Sequence, residues 1–353
     1  MKTDLCSRQI MSKPLSILLG LIFIISGCSG CLESADNSFS TESESITSLE
    51  NVYSQVLECE NIVIENGTED DFDVNLREIG NIVIDEDNSS SMYKIYYSVY
   101  SANASTNNQT FVALAYSMDG ISWEKHPKPV ISRPLEDPYV IKHEGVFHLF
   151  AEDKLDQPFR NIRKYHSFDG INWNDDGDVL DVKVGGTLSG WESQDVSSPV
   201  VWVESDLWHM LYEGRGNGGG KIGHATSNDG VNWTRNLSNP VFGNGTSDTW
   251  DDLQVVPDDL IVVNGTYYFI YHGYSNLTKP YWQVGIAKTQ NLDAWVRIYD
   301  EPLANVDTLM VIKHNDGYMF YFTGDRINKG NSPTSHIGGI CTFMIDEFEQ
   351  PTN

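Results

Sequence analysis

The stretch Ala225-Thr-Ser-Asn-Asp-Gly-Val-Asn-Trp233 has two close copies, Ala115-Tyr-Ser-Met-Asp-Gly-Ile-Ser-Trp123 and Tyr165-His-Ser-Phe-Asp-Gly-Ile-Asn-Trp173. A degenerate fourth runs Ala287-Lys-Thr-Gln-Asn-Leu-Asp-Ala-Trp295. The Asp-Gly pair supplies the backbone conformations of a tight turn, and the tryptophan gives each unit a fixed packing group. These residues therefore read as structural rather than catalytic. Between the turns lies a second repeated element, an apolar strand, a turn and an aromatic strand. Its copies are Asp137 to Phe150, Ser198 to Tyr212 and Pro257 to Tyr271, with looser versions at Ile82 to Tyr97 and Leu309 to Phe322. The result is five units of roughly 50–60 residues, a period typical of repeat architectures. β-Branched and aromatic strands are joined by Gly, Asn or Asp turns, and no stretch after residue 50 sustains helical periodicity.

Five units of about four strands predict an all-β chain, a five-bladed β-propeller. Such a ring must close, and the expected device is an N-terminal strand pairing in the last blade. Glu58 to Ile64 and Gly339 to Ile345 are the two candidate strands, and each carries a lone cysteine. A Cys59–Cys341 disulfide is expected on that basis, with two buried free thiols as the alternative.

The chain has 353 residues with 50 acidic against 23 basic, a formal charge of −27. A surface this negative repels phosphate backbones, which excludes nucleic acid as a partner. The 17 Tyr, 14 Phe and 9 Trp exclude a disordered or collagen-like chain.

Lys2, Arg8 and Lys13 precede an apolar run from Leu15 to Ile25 and then Ser26, Gly27 and Cys28, the layout of a secretory signal over residues 1–27. Ile25-Ser26-Gly27-Cys28 resembles the lipobox of prokaryotic lipoproteins, which implies Cys28 as a lipid anchor and an extracytoplasmic, membrane-tethered protein. A simple cleaved signal is the alternative. Residues 28–50 then form the anchor and a Ser-, Glu- and Thr-rich disordered tether, 51–348 the propeller, and 349–353 a tail. Nine Asn-X-Ser/Thr sequons, from Asn66 to Asn276, agree with export.

The blades resemble the five-bladed propellers of glycoside hydrolase families 43, 32 and 130. The resemblance covers about residues 58–346, and its most specific stretch is Trp191-Glu-Ser-Gln-Asp-Val-Ser-Ser-Pro199 leading to Met210-Leu-Tyr-Glu-Gly214. Glu136-Asp137-Pro138 and Tyr271-His272-Gly273 are similar to motifs of family 130 mannoside phosphorylases and mannosidases. The resemblance implies activity on an oligosaccharide or polysaccharide without a cofactor. It makes Asp137 either the family 130 acid or the middle-blade aspartate of families 43 and 32. The first-blade aspartate motif of family 32 has no counterpart here; Asp71, Asp73 and Glu78 are near the place without aligning.

Glycoside cleavage needs one carboxyl group to protonate the leaving oxygen and a second to act as base or nucleophile. Acids at the starts of inner strands are therefore the candidates. Asp137 and Glu192 are the expected pair, with Asp195 in place of Glu192 as the variant. Separations of about 5–5.5 Å or 6.5–9.5 Å would indicate retention or inversion. Candidate sugar-binding groups are Glu136, Arg133, Trp191, Arg215, Trp250, Asp258, His272 and Asp307, and Trp282 is a further loop tryptophan able to stack on a sugar. No His/Cys spacing suggests a metal site. Two functions follow: a glycosidase or glycoside phosphorylase, or a non-catalytic propeller that binds glycans or a cell-envelope partner.

Overall fold

The computed structural model describes Val56, Cys59 and residues 61–68, 71–88, 91–100, 110–155, 159–182, 190–275, 281–315, 317–324, 333 and 337–345. The signal, Cys28 and the tether lie outside them. The fold is all-β. After β1 (Ile62–Glu65), the first group is β2 (Asn75–Ile84), β3 (Tyr93–Tyr100), β4 (Thr110–Ser117) and β5 (Trp123–Lys125). The second is β6 (Leu135–His143), β7 (Val146–Asp153), β8 (Asn161–Ser167) and β9 (Asn174–Leu180). The third is β10 (Asp195–Glu204), β11 (Leu207–Gly216), β12 (Gly219–Ser227) and β13 (Trp233–Arg235). Next come β14 (Gln254–Val263), β15 (Thr266–Tyr274), β16 (Gln283–Thr289) and β17 (Val296–Arg297), then β18 (Thr308–His314), β19 (Gly317–Thr323) and β20 (Gly339–Ile345).

Each group is an antiparallel meander. The third and fourth are joined by one parallel pair, Gly220 with Gln254. β1 pairs antiparallel with β20, Ile62 opposite Cys341, and Cys59 is disulfide-bonded to Cys341 as the two lone cysteines suggested.

The repeated turns are built identically. Ser117, Ser167 and Ser227 each accept the backbone N–H of the glycine three residues on, at 2.9, 2.9 and 3.0 Å. Asp119, Asp169 and Asp229 each accept the backbone N–H groups of the residues two and three positions on. This Asp–Gly chemistry satisfies the turn amides locally, so the motif is structural. The core lies between neighbouring meanders. Met310, Ile312 and Tyr321 pack with Leu76, Ile79 and Ile95, so the last meander shares a core with the first. Tyr321 donates its hydroxyl to the Gly120 carbonyl at 2.7 Å, as Tyr96 does to Gly170 at 2.8 Å.

Candidate functional site

Four inner strands break register near their starts. The β2 ladder slips around Arg77 and Gly80, β6 between Glu136 and Tyr139, β10 between Ser197 and Val200, and β14 between Pro257 and Asp259. Extra residues in one strand form a bulge, which re-aims a side chain. Asp137 and Ser198 sit at these points with φ of 49° and 46°, each directly before a proline. Left-handed backbone at non-glycine residues is held only where surrounding contacts over-determine it. Some of those contacts are visible. A Cβ on Gly80 would come within 1.8 Å of the Pro138 carbonyl oxygen, so only glycine lets β2 approach β6 this closely. Asn81 then clamps both backbone groups of Val140, at 2.7 and 2.8 Å. Asp259 repeats the device, accepting from the Val311 N–H at 2.9 Å and the Tyr139 hydroxyl at 2.8 Å.

The bulges bring Asp137, Ser198 and Asp258 to one cavity with Gly80, His272 and Thr308. Its volume is about 20 Å³, room for one water. Ser198 donates its hydroxyl to Asp137. Glu78, itself 3% exposed, is close enough to Asp137 for the two carboxyls to influence each other. Burial pushes the Glu78 carboxyl well above its ordinary range against the pull of Arg77, and the charges of Asp137 and Glu136 add to the rise. Burial also pushes Asp137 upward, but Glu78, the Ser198 hydroxyl and the charges of Arg77 and His272 leave it below its usual value. The two carboxyls titrate as a pair, with the proton favoured on Glu78.

Asp258 stands on another wall of the cavity. His272 lies 2.5 Å from it through Nδ1, and burial raises the Asp258 carboxyl despite that partner. Burial opposes the charge on His272, yet Asp258, Asp307 and Asp137 push it up to about 9. Arg77 links the remaining wall, reaching Asp307 at 2.6 Å and Glu78 at 3.0 Å.

Around this centre the ends of the second strands supply further buried pairs. Lys154 and Tyr100 both donate to Glu136. Arg160 is 2.7 Å from Glu152, whose carboxyl burial pushes up to about 8. Glu213 accepts from Ser197 at 2.8 Å and Gln254 at 2.6 Å, and burial raises it too. Arg215 is paired with Asp195, which also accepts the Arg160 N–H at 3.1 Å. Among the described residues no group of three His, Cys, Asp or Glu is arranged to hold a metal ion.

Of the residues singled out from sequence, Asp137, Asp258 and His272 meet at the cavity, and Asp307 joins through Arg77. Glu136 is beside them with Lys154, and Arg133 is bound to Asp153 at 2.7 Å on the second meander. Glu192, Trp191 and Trp250 are placed differently. Glu192 accepts the Tyr212 hydroxyl at 2.8 Å and pairs with Arg235 at 2.9 Å. The fourth meander repeats this arrangement with Asp251, Tyr271 and Arg297, and the first pairs Asp73 with Lys125. In each full copy the preceding tryptophan covers glycines: Trp191 over Gly214 and Gly223, Trp250 over Gly273 and Gly285. A feature repeated between blades at equivalent positions is a building element. Glu78, Arg77, Glu152, Arg160 and Glu213 were not picked from sequence. A signal for Glu78 was present, because Glu78 stands on β2 opposite Ser98 just before the break in register, the place that Glu136 occupies on β6 opposite Glu152.

No family model matches the chain. It is 29% identical over 124 residues to a 1,2-β-oligomannan phosphorylase of Thermoanaerobacter sp., covering 32% of this chain and 40% of that protein. It is 31% identical over 120 residues to an A type blood N-acetyl-α-D-galactosamine deacetylase of Flavonifractor plautii, covering 31% of this chain and 15% of that one. The chain thus spans less than half the length of these curated relatives. The solved β-1,2-mannobiose phosphorylase of Listeria innocua superposes with a TM-score of 0.56 at 12% identity, covering 77% of this chain and 90% of that one. The chain shares the fold of propeller-type glycoside hydrolases and phosphorylases, and its sequence resembles a mannan-active member over about a third of its length.

Proposed function

We propose that the chain is a glycosidase that hydrolyses mannose-containing oligosaccharides at the mouth of a five-bladed propeller. The observation that carries this reading is the Glu78–Asp137 dyad beside a water-sized cavity that Asp137 shares with Asp258. The proton favoured on Glu78 passes through Asp137, the less buried of the dyad, to the leaving glycosidic oxygen, and both carboxyls are then ionised beside Arg77. Asp258 takes a proton from water as its oxygen attacks the anomeric carbon and the carbon–oxygen bond breaks. The mannoside class is suggested by the 1,2-β-oligomannan phosphorylase relative.

Hydrolysis is favoured over phosphorolysis by the charge pairing. Among the described residues of the mouth, Arg77, Lys154, Arg215 and His272 are each engaged by a carboxylate. A phosphate dianion entering there would have to displace one of these partners.

Five blades and a ring closed by β1 are supported by the β1–β20 pairing, the Cys59–Cys341 bridge and the core shared by the first and last meanders. Export and tethering through Cys28 are supported by the n-region, apolar run and lipobox-like sequence.

The test is product analysis on β-1,2- and β-1,4-manno-oligosaccharides, with and without phosphate, using wild type, Asp137→Asn and Glu78→Gln. Free mannose from wild type in both buffers, lost in both variants, is the expected result. Release of mannose 1-phosphate would overturn the hydrolytic assignment. No turnover of any glycoside by folded protein would favour the glycan-binding alternative.

A further inference from the structure

The cavity at Asp137 has room for only one water, so a sugar ring must lie outward of it, where it needs polar partners for its hydroxyls and an apolar surface for its C–H face. The carboxylates and cations of the mouth supply the first. The second can be found by accounting for the tryptophans. Trp123, Trp173, Trp233 and Trp295 belong to the repeated turns. Trp191 and Trp250 lie over glycines, Trp208 is buried, and Trp202 stacks on His209 at 5.0 Å.

Trp282 remains. It immediately precedes β16 at the end of the strand where Gln283 pairs with Gly273, beside the starts of the inner strands. It is half-buried, as is Tyr274. Its ring stands perpendicular to His272 at 4.7 Å between centroids, and at 50° to Tyr274 at 5.2 Å. Since His272 lines the cavity, the indole adjoins the reacting centre.

We propose that Trp282, braced by His272 and Tyr274, is the platform on which one hexopyranose ring of the substrate stacks. This rests on the carbohydrate-active reading and adds to it the residue that positions the sugar. An indole is a rigid apolar surface with few rotamers to freeze, and the perpendicular contact with the His272 imidazole holds its orientation. Trp282 touches the sugar away from the bond being broken, so its loss should weaken binding more than chemistry.

The experiment uses the full chain and β-1,2-mannobiose. Trp282→Ala is expected to raise KM about tenfold or more with kcat within about threefold, and Trp282→Phe to recover part of the loss. An unchanged KM in Trp282→Ala, with wild type turning over, would overturn the platform and leave the glycosidase reading standing. If wild type turns over nothing, calorimetric binding of the same disaccharide decides. Binding by wild type that weakens in both variants supports the platform; equal binding by all three, or none by wild type, overturns it. Should Trp282→Ala fail to fold, Trp282→Phe carries the same comparison with a smaller expected shift.

Discussion

Glu192 and Asp137 are both buried-region carboxylates on neighbouring blades, and exchanging each for its amide should separate architecture from chemistry. Glu192→Gln keeps the shape but removes the charge that faces Arg235 at 2.9 Å, where the arginine side chain is 21% exposed and the glutamate 2%. Breaking a buried pair from one side typically costs about 3–5 kcal/mol because the other charge is left behind. Partial access of Arg235 to water reduces this to about 2–4 kcal/mol. Tyr212→Phe, which removes the hydroxyl donated to the same carboxylate, should cost about 1.5–3 kcal/mol. Asp137→Asn is different. Asparagine is well suited to left-handed backbone, and its side-chain oxygen can still accept from Ser198, so the stability change should stay within about 1 kcal/mol. Turnover should fall by about 10²–10⁴. The assay is urea unfolding alongside turnover per folded molecule. Glu192→Gln should lower the midpoint at constant slope and keep most activity, and Asp137→Asn should do the reverse. A Glu192→Gln protein of wild-type stability and no activity would refute the reasoning and return Glu192 to the reacting centre.

Three further outcomes are expected. Glu152, pushed up to about 8 from an ordinary 4.5, binds its proton more tightly in the folded chain, so its contribution to stability is present below about pH 4.5 and lost as pH rises through 8; Glu152→Gln should flatten the fall of the unfolding midpoint across that window, and an unchanged slope would contradict it. Reducing the Cys59–Cys341 bridge, which spans 282 residues, should lower stability by about 4–6 kcal/mol in the chain-entropy account, read as a drop in denaturant midpoint on adding dithiothreitol to wild type but not to Cys59→Ser. Arg77 opposes protonation of both Glu78 and Asp137, so Arg77→Met should move the basic limb of the kcat/KM profile to higher pH; a limb that stays put or moves down would remove Arg77 from the dyad's environment.

Much of the molecule could be read from one-dimensional pattern. The Ser-X-Asp-Gly-X-X-Trp turns and the aromatic strands between them depend on local turn chemistry and alternation, which neighbouring residues dictate, whereas the two lone cysteines could be paired only through the expected closure of the ring. Asp137 could be placed at a strand start for the same reason. Its direction could not. Alternation along an extended chain would send Glu136 and Asp137 to opposite sides, but the bulge at Asp137 brings both to the mouth region, one onto Lys154 and the other onto Glu78 and Ser198. Glu192 and Trp250 resembled site residues because acid and tryptophan type is visible in sequence, whereas their pairing with Arg235 and their cover of glycine backbone are not. The repeat, the strands and the candidate acids are written in the linear order of residues. Which acids meet, and how burial and neighbouring charges bias their protons, is not, because those charges lie far apart in the chain and meet only where the inner strands converge.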